Sequence, residues 1–363
     1  MTFVLPGAGS VQVPQAVPFL TTGFSRNPAM FPVVKYTQLI PVTATLGYYL
    51  ETAPDEGARI RTTRANWPDG EPRPQGFKPK HEWKSYSALR SSENFRIGTL
   101  TAQQALAAGK WDILASFANV AAQRAMTNYT REVEKFATDT SNGTPTATFG
   151  TASGGGSTIA GSTAANAYIE KTFDYGVDAI MDSTYGAVKP SQIRAIIGRT
   201  TARAIVQSPE YKSYFTNWAQ AAALLEKSGN LNQYGLVLDV FGVKTIVEDT
   251  VFESAKPDAT SSKRRAYQGL GTVNSVAVNS PIVFVVVPEA NEMTAEAVGD
   301  GQTSPVNRPT TTAILRIAPE EMTYELDIKP FDRLTDGAVT CNHAVVLAST
   351  KSIYMVTNVL NGS

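Results

Sequence analysis

Residues 111 to 138 read WDILASFANVAAQRAMTNYTREVEKFAT, and this proline-free stretch decides the fold of the chain. Its apolar residues recur at spacings of three and four, which is the period of one helical face. They are Trp111, Leu114, Ala118, Ala121, Ala125, Tyr129, Val133 and Phe136. With the Ala- and Gln-rich run before it, the pattern predicts a helix over residues 101 to 138, broken near Gly109. At about 1.5 Å per residue the main part would be about 40 Å long, which is long for a globular domain.

The chain before this helix has no helical period and is rich in proline. Residues 1 to 45 are predicted to form an extended arm, which is stable only when another segment pairs with it. Residues 46 to 100 have strand-like ends, GYYLET and EWKSYSALR, around an irregular centre. This arrangement predicts a long β-hairpin, which is marginally stable in water by itself.

The centre of the hairpin, residues 66 to 83, reads NWPDGEPRPQGFKPKHEW. It places three large aromatic residues among prolines and charges, where the chain cannot build a core around them. Aromatic and arginine side chains are enriched as anchors of protein interfaces, which have a polar rim. We therefore predict a contact with another protein, and binding of nucleic acid by this locally basic loop is the alternative. The predicted contact residues are Trp67, Arg73, Phe77, Lys78, Lys80 and Trp83.

After the helix the chain changes character twice. Residues 138 to 165 are rich in Gly, Ser and Thr and predict a flexible surface hairpin, with TPTATFGT as a short strand. A second helix is predicted in NAYIEKTFDYGVDAIMDSTYG, followed by an α/β passage from IRAIIG to the buried strand PIVFVVVP. The last third consists of strand-like runs separated by turn residues, TTAILRIAP, MTYELDIKPFD, GAVTCNHAVVLAST and KSIYMVTNVL.

The composition excludes several classes of function. The chain has 363 residues, a formal net charge of +0 and a pI near 6.8. This neutral charge argues against a protein that binds nucleic acid by neutralising its phosphates. Cys341 is the only cysteine, so no intramolecular disulfide can form and a reducing compartment is expected. No signal peptide is predicted, and no apolar run reaches the roughly 18 residues of a membrane span.

Few residues offer catalytic or metal-binding chemistry. Cys341 and His343 lie two apart in a strand-like run, so both should point to one face as a nucleophile and a base would. No third member of a catalytic group is visible, and a packed strand is the favoured interpretation. His81 has no Cys or His partner at a zinc spacing, so no metal or cofactor is expected. Glu132, Glu134 and the basic run at residues 263 to 265 are predicted to be solvated.

Several strings resemble the major capsid proteins of tailed bacteriophages, and similar elements follow in the same order over essentially the whole chain. The strings are IRAIIGRTTARAIVQSPEYKSYF, LVLDVFGVKTIVEDTVFESAK, SPIVFVVVPEAN and AVVLASTKSIYMVTNVL. The resemblance implies an α+β protein with the HK97-like capsid fold, including an antiparallel sheet beside the long helix. The implied segments are an N-arm (1–45), an extended loop or E-loop (46–100), a peripheral domain with the spine helix and flexible hairpin (101–184), an axial α/β domain (185–310), and return strands of the peripheral domain with the C-terminus (311–363).

The resemblance also implies a function. The chain would assemble with itself into pentamers and hexamers of an icosahedral shell around double-stranded DNA, without catalysis, cofactor or membrane. It would be assembled in the host cytoplasm, be part of the virion, and have scaffolding, portal and decoration proteins as partners. Two alternatives remain open, an encapsulin-type nanocompartment shell of the same fold and a cytosolic enzyme that uses Cys341 and His343.

Covalent crosslinking is a further property of some members of this family. There a lysine in the extended loop attacks an asparagine of a neighbouring subunit. Lys78, Lys80 and Lys84 lie in the matching segment and Asn358 lies near the C-terminus. No motif fixes a pairing between them, so noncovalent contact between subunits is the prediction.

Overall fold

The computed structural model describes residues 31–52, 81–98, 100–101, 113–163, 165–216, 232–253, 263–268, 272–273, 276–277, 279–287, 313–329 and 334–360. The helices in these ranges are α1 (Ile113–Thr138), α2 (Phe149–Ala152), α3 (Tyr168–Ser183), α4 (Arg199–Gln207) and α5 (Pro209–Thr216). The strands are β1 (Gln38–Pro41), β2 (Leu46–Thr52), β3 (His81–Ser87), β4 (Leu89–Gly98), β5 (Thr146–Thr148), β6 (Ile193–Gly198), β7 (Asp239–Val240), β8 (Val243–Glu248), β9 (Val251–Glu253), β10 (Lys263–Arg265), β11 (Thr272–Val273), β12 (Val276–Ala277), β13 (Ile282–Val286), β14 (Ile314–Lys329), β15 (Leu334–Leu347) and β16 (Ile353–Thr357).

Helix α1 is the predicted long helix, and its apolar stripe is confirmed from Ala121 onward. Ala121 and Ala125 are buried in a cluster with Val339 and Cys341 of β15. Tyr129 and Val133 are buried in another core, against which Phe136 packs partly buried. The helix has 26 residues, which corresponds to about 39 Å. Trp111 lies outside the described residues. The stripe is buried because α1 lies across a four-stranded sheet, where it contacts β4, β14 and β15.

This sheet has the strand order β1-β14-β15-β4. Strands β14 and β15 form a long antiparallel ladder from Ile314↔Leu347 to Lys329↔Leu334, interrupted by two register shifts between Ile317 and Met322. Strand β4 pairs antiparallel with the other side of β15, and the short β1 pairs parallel with β14. The antiparallel finish of the chain is therefore confirmed for β14 and β15. The predicted arm needed another segment to pair with it, and strand β1 of this segment pairs with β14 of the same chain.

A second sheet has the order β5-β16-β13-β6-β8-β7. Every residue of β6 and β13 is buried, as expected for strands that are covered on both faces. On one face Ile193, Ala195 and Ile197 pack in a core with helices α3 and α4. On the other face Ile196 packs in a second core with helix α1. The predicted strands IRAIIG, VKTIVED and PIVFVVVP are confirmed, and the last strand, β16, lies in this sheet beside β13.

Residues 139 to 163 do not form the predicted hairpin. Strand β5 pairs in parallel with β16, and helix α2 follows it directly. Phe149 and Ile159 are almost fully buried in the core of the six-stranded sheet. The Gly, Ser and Thr composition suggested a flexible loop, but these two apolar side chains anchor the segment. Helix α3 confirms the second predicted helix and packs against the same core.

The N-terminal segment, residues 31 to 37, is part of the protein core. Phe31, Val33 and Tyr36 are 3%, 0% and 0% exposed, and they lie in the second core with residues of α1 and the six-stranded sheet. A 3-10 turn over Pro32–Lys35 brings the three side chains to one side. The Tyr129 hydroxyl of α1 donates a hydrogen bond to Thr37 Oγ1 at 2.9 Å. This part of the arm therefore joins the long helix to the second sheet.

Candidate subunit-contact surface

The base of the predicted hairpin is present as an antiparallel pair of strands. Strands β2 and β3 pair from Leu46↔Ser87 to Thr52↔His81, and the Ala88 N–H donates to the Thr45 carbonyl at 2.8 Å below the ladder. Directly opposed residues of such a ladder point to the same face, and alternate residues point to opposite faces. The register therefore divides the hairpin into two faces with different surroundings.

The inner face of the hairpin, defined by Tyr49, Glu51, Lys84 and Tyr86, rests on the four-stranded sheet. Tyr49 and Tyr86 pack against a cluster of Leu315, Ile317, Val346 and Ala348. The ring of Tyr86 lies across Gly47, where a Cβ atom would be only 2.8 Å from the Tyr86 hydroxyl. The glycine thus allows the ring to lie flat over the partner strand.

Polar contacts on the inner face also hold the hairpin in place. Lys84 forms an ion pair with Glu51 within the hairpin. The Thr350 N–H donates to Glu51 Oε1 at 3.2 Å, which connects the hairpin to the body of the protein. Burial together with the carboxylates of Glu51 and Glu82 raises the pKa of Tyr49 to about 12, so its hydroxyl stays neutral. The side chains of the inner face therefore have their packing and polar partners within the same chain.

The outer face of the hairpin, defined by Leu46, Tyr48 and Trp83, is apolar and open to solvent. Their side chains are 69%, 73% and 68% exposed. Single exposed apolar residues are normal on a protein surface, whereas a contiguous apolar patch is typical of an interaction site. Leu89, at the start of the next strand, is 73% exposed as well.

Of the predicted contact residues, Trp83 is the one that the described ranges contain. It lies on β3 and points away from the body, as the contact prediction requires. Trp67, Arg73, Phe77, Lys78 and Lys80 lie outside the described residues. Leu46 and Tyr48 were not predicted, although the alternation in LGYYLET, once the register is known, would have placed them beside Trp83. Lys84, one of the lysines considered for crosslinking, is engaged with Glu51.

The alternative site at Cys341 and His343 is closed. Both side chains point to the face covered by α1, as predicted, and they are 7% and 9% exposed. His343 Nε2 lies 2.7 Å from Glu132 Oε2, and the His343 ring meets the Tyr129 ring edge to face with centroids 5.1 Å apart. The cavity beside them measures about 10 Å³, which is room for about one water molecule at most. The geometry therefore gives no support for catalysis at this pair.

The prediction of solvation is wrong for Glu134 and for Arg264, whereas Lys263 and Arg265 of the basic run are exposed as predicted. Glu134 is 0% exposed, and Arg264 Nη1 and Nη2 donate to its two carboxylate oxygens at 2.8 and 2.9 Å. The guanidinium of Arg264 also lies 5.0 Å from the centre of the Phe252 ring. Sequence could not show this pairing because 130 residues separate the two partners. The other carboxylate, Glu132, is half exposed and carries the His343 contact.

Two features are absent from the part of the chain that the structure describes, namely a membrane-spanning helix and a cluster of metal-binding side chains. None of its helices is long and apolar enough to cross a membrane. None of its His, Cys, Asp and Glu side chains gather into a group of three or more that could hold a metal ion.

Solved structures similar to this chain include phage capsids. A phage-related protein from Bordetella bronchiseptica matches 96% of this chain and 97% of its own, with a TM-score of 0.60 and 13% identity. The mature capsid of bacteriophage PhiM1 matches 98% and 92%, with a TM-score of 0.54 and 10% identity. The capsid of cyanophage P-SCSP1u matches 98% and 92%, with a TM-score of 0.52 and 11% identity. No family model and no curated protein matches the sequence.

These likenesses define the fold of the chain. They extend over nearly the whole length of both partners. The chain has the α+β, HK97-like fold of phage capsid subunits, which confirms the fold class predicted from sequence.

Proposed function

We propose that the chain is a major capsid protein, which assembles with itself into pentamers and hexamers of an icosahedral shell around the double-stranded DNA of a tailed phage. The observation that carries this proposal is the match of nearly the whole chain to phage capsid subunits. The closed packing around Cys341 and His343 favours a structural role over the enzyme alternative.

The contact between subunits is proposed to lie on the outer face of the hairpin. Leu46, Tyr48 and Trp83 would be covered by a neighbouring copy of the chain, so that each copy completes the core of the next. The predicted contact residues of the hairpin centre, Trp67, Arg73, Phe77, Lys78 and Lys80, would belong to the same interface. A closed shell repeats each contact many times, so a modest interface is sufficient for a stable particle.

The remaining assignments follow from the proposed role. Residues 1–45, 46–100, 101–184, 185–310 and 311–363 would act as the N-arm, extended loop, peripheral domain, axial domain and return strands of the subunit. Assembly in the host cytoplasm would use a scaffolding protein, and the finished virion would add a portal and decoration proteins. The formal net charge of +0 is compatible with a shell that does not grip the DNA it holds.

Sedimentation velocity combined with negative-stain microscopy of the purified chain tests the proposal. We expect closed particles hundreds of ångströms across, formed by the chain alone or after a scaffold is added. A chain that stays a monomer or small oligomer under both conditions would contradict the proposal.

The contents of particles from the native source separate the phage shell from the encapsulin alternative. After external nuclease treatment and removal of the protein, we expect protected double-stranded DNA. An enclosed enzyme in place of DNA would support the encapsulin alternative. Particles formed by a Cys341→Ala variant should be unchanged, since that side chain has only a packing role.

A further inference from the structure

A buried polar cluster connects the N-terminal segment to the long helix and to the second sheet. One half of the cluster is the ion pair between Glu134 on α1 and Arg264 on β10. The main-chain N–H of Tyr267 also donates a hydrogen bond to Glu134 Oε1, at 2.6 Å. Glu134 and Tyr267 are both fully buried. This half of the cluster holds one carboxylate and one guanidinium, so its charges balance.

The other half of the cluster is centred on Glu248, the last residue of strand β8. Its carboxylate accepts hydrogen bonds from Tyr36 Oη at 3.2 Å and from Thr250 Oγ1 at 2.5 Å. The Thr250 N–H adds a third contact, at 3.3 Å. Tyr36 Oη also lies 3.5 Å from Tyr267 Oη, which links the two halves. Glu248 is 0% exposed, and all three of these hydrogen bonds come from neutral donors.

The charge count distinguishes the two protonation states of Glu248. The whole cluster contains two buried carboxylates, those of Glu134 and Glu248, and one guanidinium, that of Arg264. Its net charge is zero when Glu248 is protonated and −1 when Glu248 is ionised. A buried charge without a partner of opposite sign is costly, whereas the same carboxylate in contact with water is not. Burial, with Asp249 nearby, raises the pKa of Glu248 to about 7 despite the bonds from Thr250 and Tyr36.

We propose that this cluster is a proton-controlled latch on the N-terminal segment. Protonated Glu248 holds Tyr36 and the segment against the body, and ionisation of Glu248 favours opening of the segment, because opening exposes the carboxylate to water. The latch belongs to the single subunit and does not depend on shell assembly, so its test and that of the proposed function can fail separately.

The titratable groups that face Glu248 come from each element packed around it. Tyr36 comes from the N-terminal segment and Tyr267 from the turn after β10, and burial raises the pKa of both hydroxyls well above the ordinary range. Asp249 is the next residue along the chain, directly after strand β8. Tyr129 and Glu134 come from α1, where Arg264 pairs with Glu134. With both tyrosines neutral and Glu134 paired, Glu248 is the group whose titration changes the charge of the cluster near neutral pH.

Hydrogen exchange of the backbone amides of residues 33 to 41 tests the latch on the full chain, between pH 5 and 8. Protection factors are compared, so that the intrinsic pH dependence of exchange is removed. The pKa of Glu248 is about 7 when the segment is closed and should return to its ordinary value when the segment is open. Rising pH therefore favours the open state, and the protection factor should fall by up to about tenfold per pH unit between pH 5 and 7 and level off above pH 7. Glu248→Gln should remove this fall and keep the protection at its low-pH level.

Two further variants sharpen the test. Glu210→Gln changes another buried glutamate, whose carboxylate accepts the N–H groups of Ile169 and Glu170 at the start of α3, and it should keep the wild-type profile. Tyr36→Phe removes a hydrogen bond that stabilises ionised Glu248, which should raise the pKa of Glu248 in the closed state. The pH above which the protection factor levels off should therefore be higher in this variant. The latch is refuted if the wild-type profile is flat, if Glu248→Gln keeps the fall, or if amides throughout the chain show the same fall.

Discussion

At the scale of single residues, the buried charge of Glu134 constrains the structure most. Its carboxylate lies on the long helix between two sheets and has Arg264 as its bidentate partner. Burial raises the pKa of Glu134, while the hydrogen bonds and charge of Arg264 and the Tyr267 N–H oppose that rise. Removing one member of such a pair is far more costly than removing both, because the remaining charge stays buried.

Replacing Arg264 with methionine should therefore destabilise the unassembled subunit by about 3 to 5 kcal/mol. Urea unfolding monitored by circular dichroism measures the change. The matched control is Arg90→Met, since Arg90 pairs with Glu325 at 2.8 Å but both side chains are more than half exposed. An exposed pair of this kind contributes about 1 kcal/mol or less. Equal losses in the two variants would contradict the structural role assigned to Glu134.

Gly176 controls how closely helix α3 approaches the second sheet. A Cβ atom at this position would lie 2.3 Å from Cε2 of Phe284, a fully buried ring that also contacts Phe173 edge to face. Gly176→Ala should destabilise the subunit by about 1 to 3 kcal/mol, although alanine is the better helix former. Gly161→Ala is the control, because its nearest neighbour would be 4.0 Å away, and it should change stability by about 0.5 kcal/mol or less. Thermal unfolding of both variants decides the point, and a neutral Gly176→Ala would show that α3 is free to shift.

At the scale of elements, patterns that repeat within one segment were predictable from sequence. The stripe of α1 is visible because all its members lie on one helix, and the ends of the hairpin are visible because strands alternate around a turn. The buried strands β6 and β13 are bounded runs of apolar residues, which is typical of strands covered on both faces. In each of these cases a local period reports directly on burial.

Features that depend on distant partners could not be predicted in this way. The pairing of β1 with β14, the position of β16 beside β13 and the burial of Glu134 each join residues far apart in sequence. Residues 139 to 163 were misinterpreted because their composition is polar, while two apolar side chains fix the segment in the core. The outer face of the hairpin depends on the register of β2 and β3, which the sequence of either strand alone does not contain.

The two faces of the hairpin predict opposite effects for two substitutions on the same strand. Trp83→Ala should leave the stability of the unassembled subunit within about 0.5 kcal/mol of wild type, since its side chain is 68% exposed, and should reduce particle formation. Tyr86→Ala should lower the stability of the subunit itself, since the ring packs on the cluster at Leu315 and Val346. Unfolding and sedimentation are compared for both variants. Loss of subunit stability in Trp83→Ala would contradict this prediction, because it would mean that the tryptophan packs within its own subunit.

At the scale of the whole molecule, the described base of the hairpin packs on the body of the protein with one face and is open to solvent on the other. The body is closed by two cores on either side of the six-stranded sheet and a further cluster under α1. The hairpin contributes only one of its faces to this body, and the other carries Leu46, Tyr48 and Trp83. Under the proposed function, a second copy of the chain would cover this outer face.

In the proposed assembly, copies of this chain form a closed shell in which a neighbour covers the outer face of the hairpin. An electron cryo-microscopy reconstruction of the assembled particles would show whether this contact exists. We expect icosahedral particles built from pentamers and hexamers, with density of an adjacent subunit against Tyr48 and Trp83. Particles in which this face is open to solvent, or a chain that forms no closed particle, would contradict it.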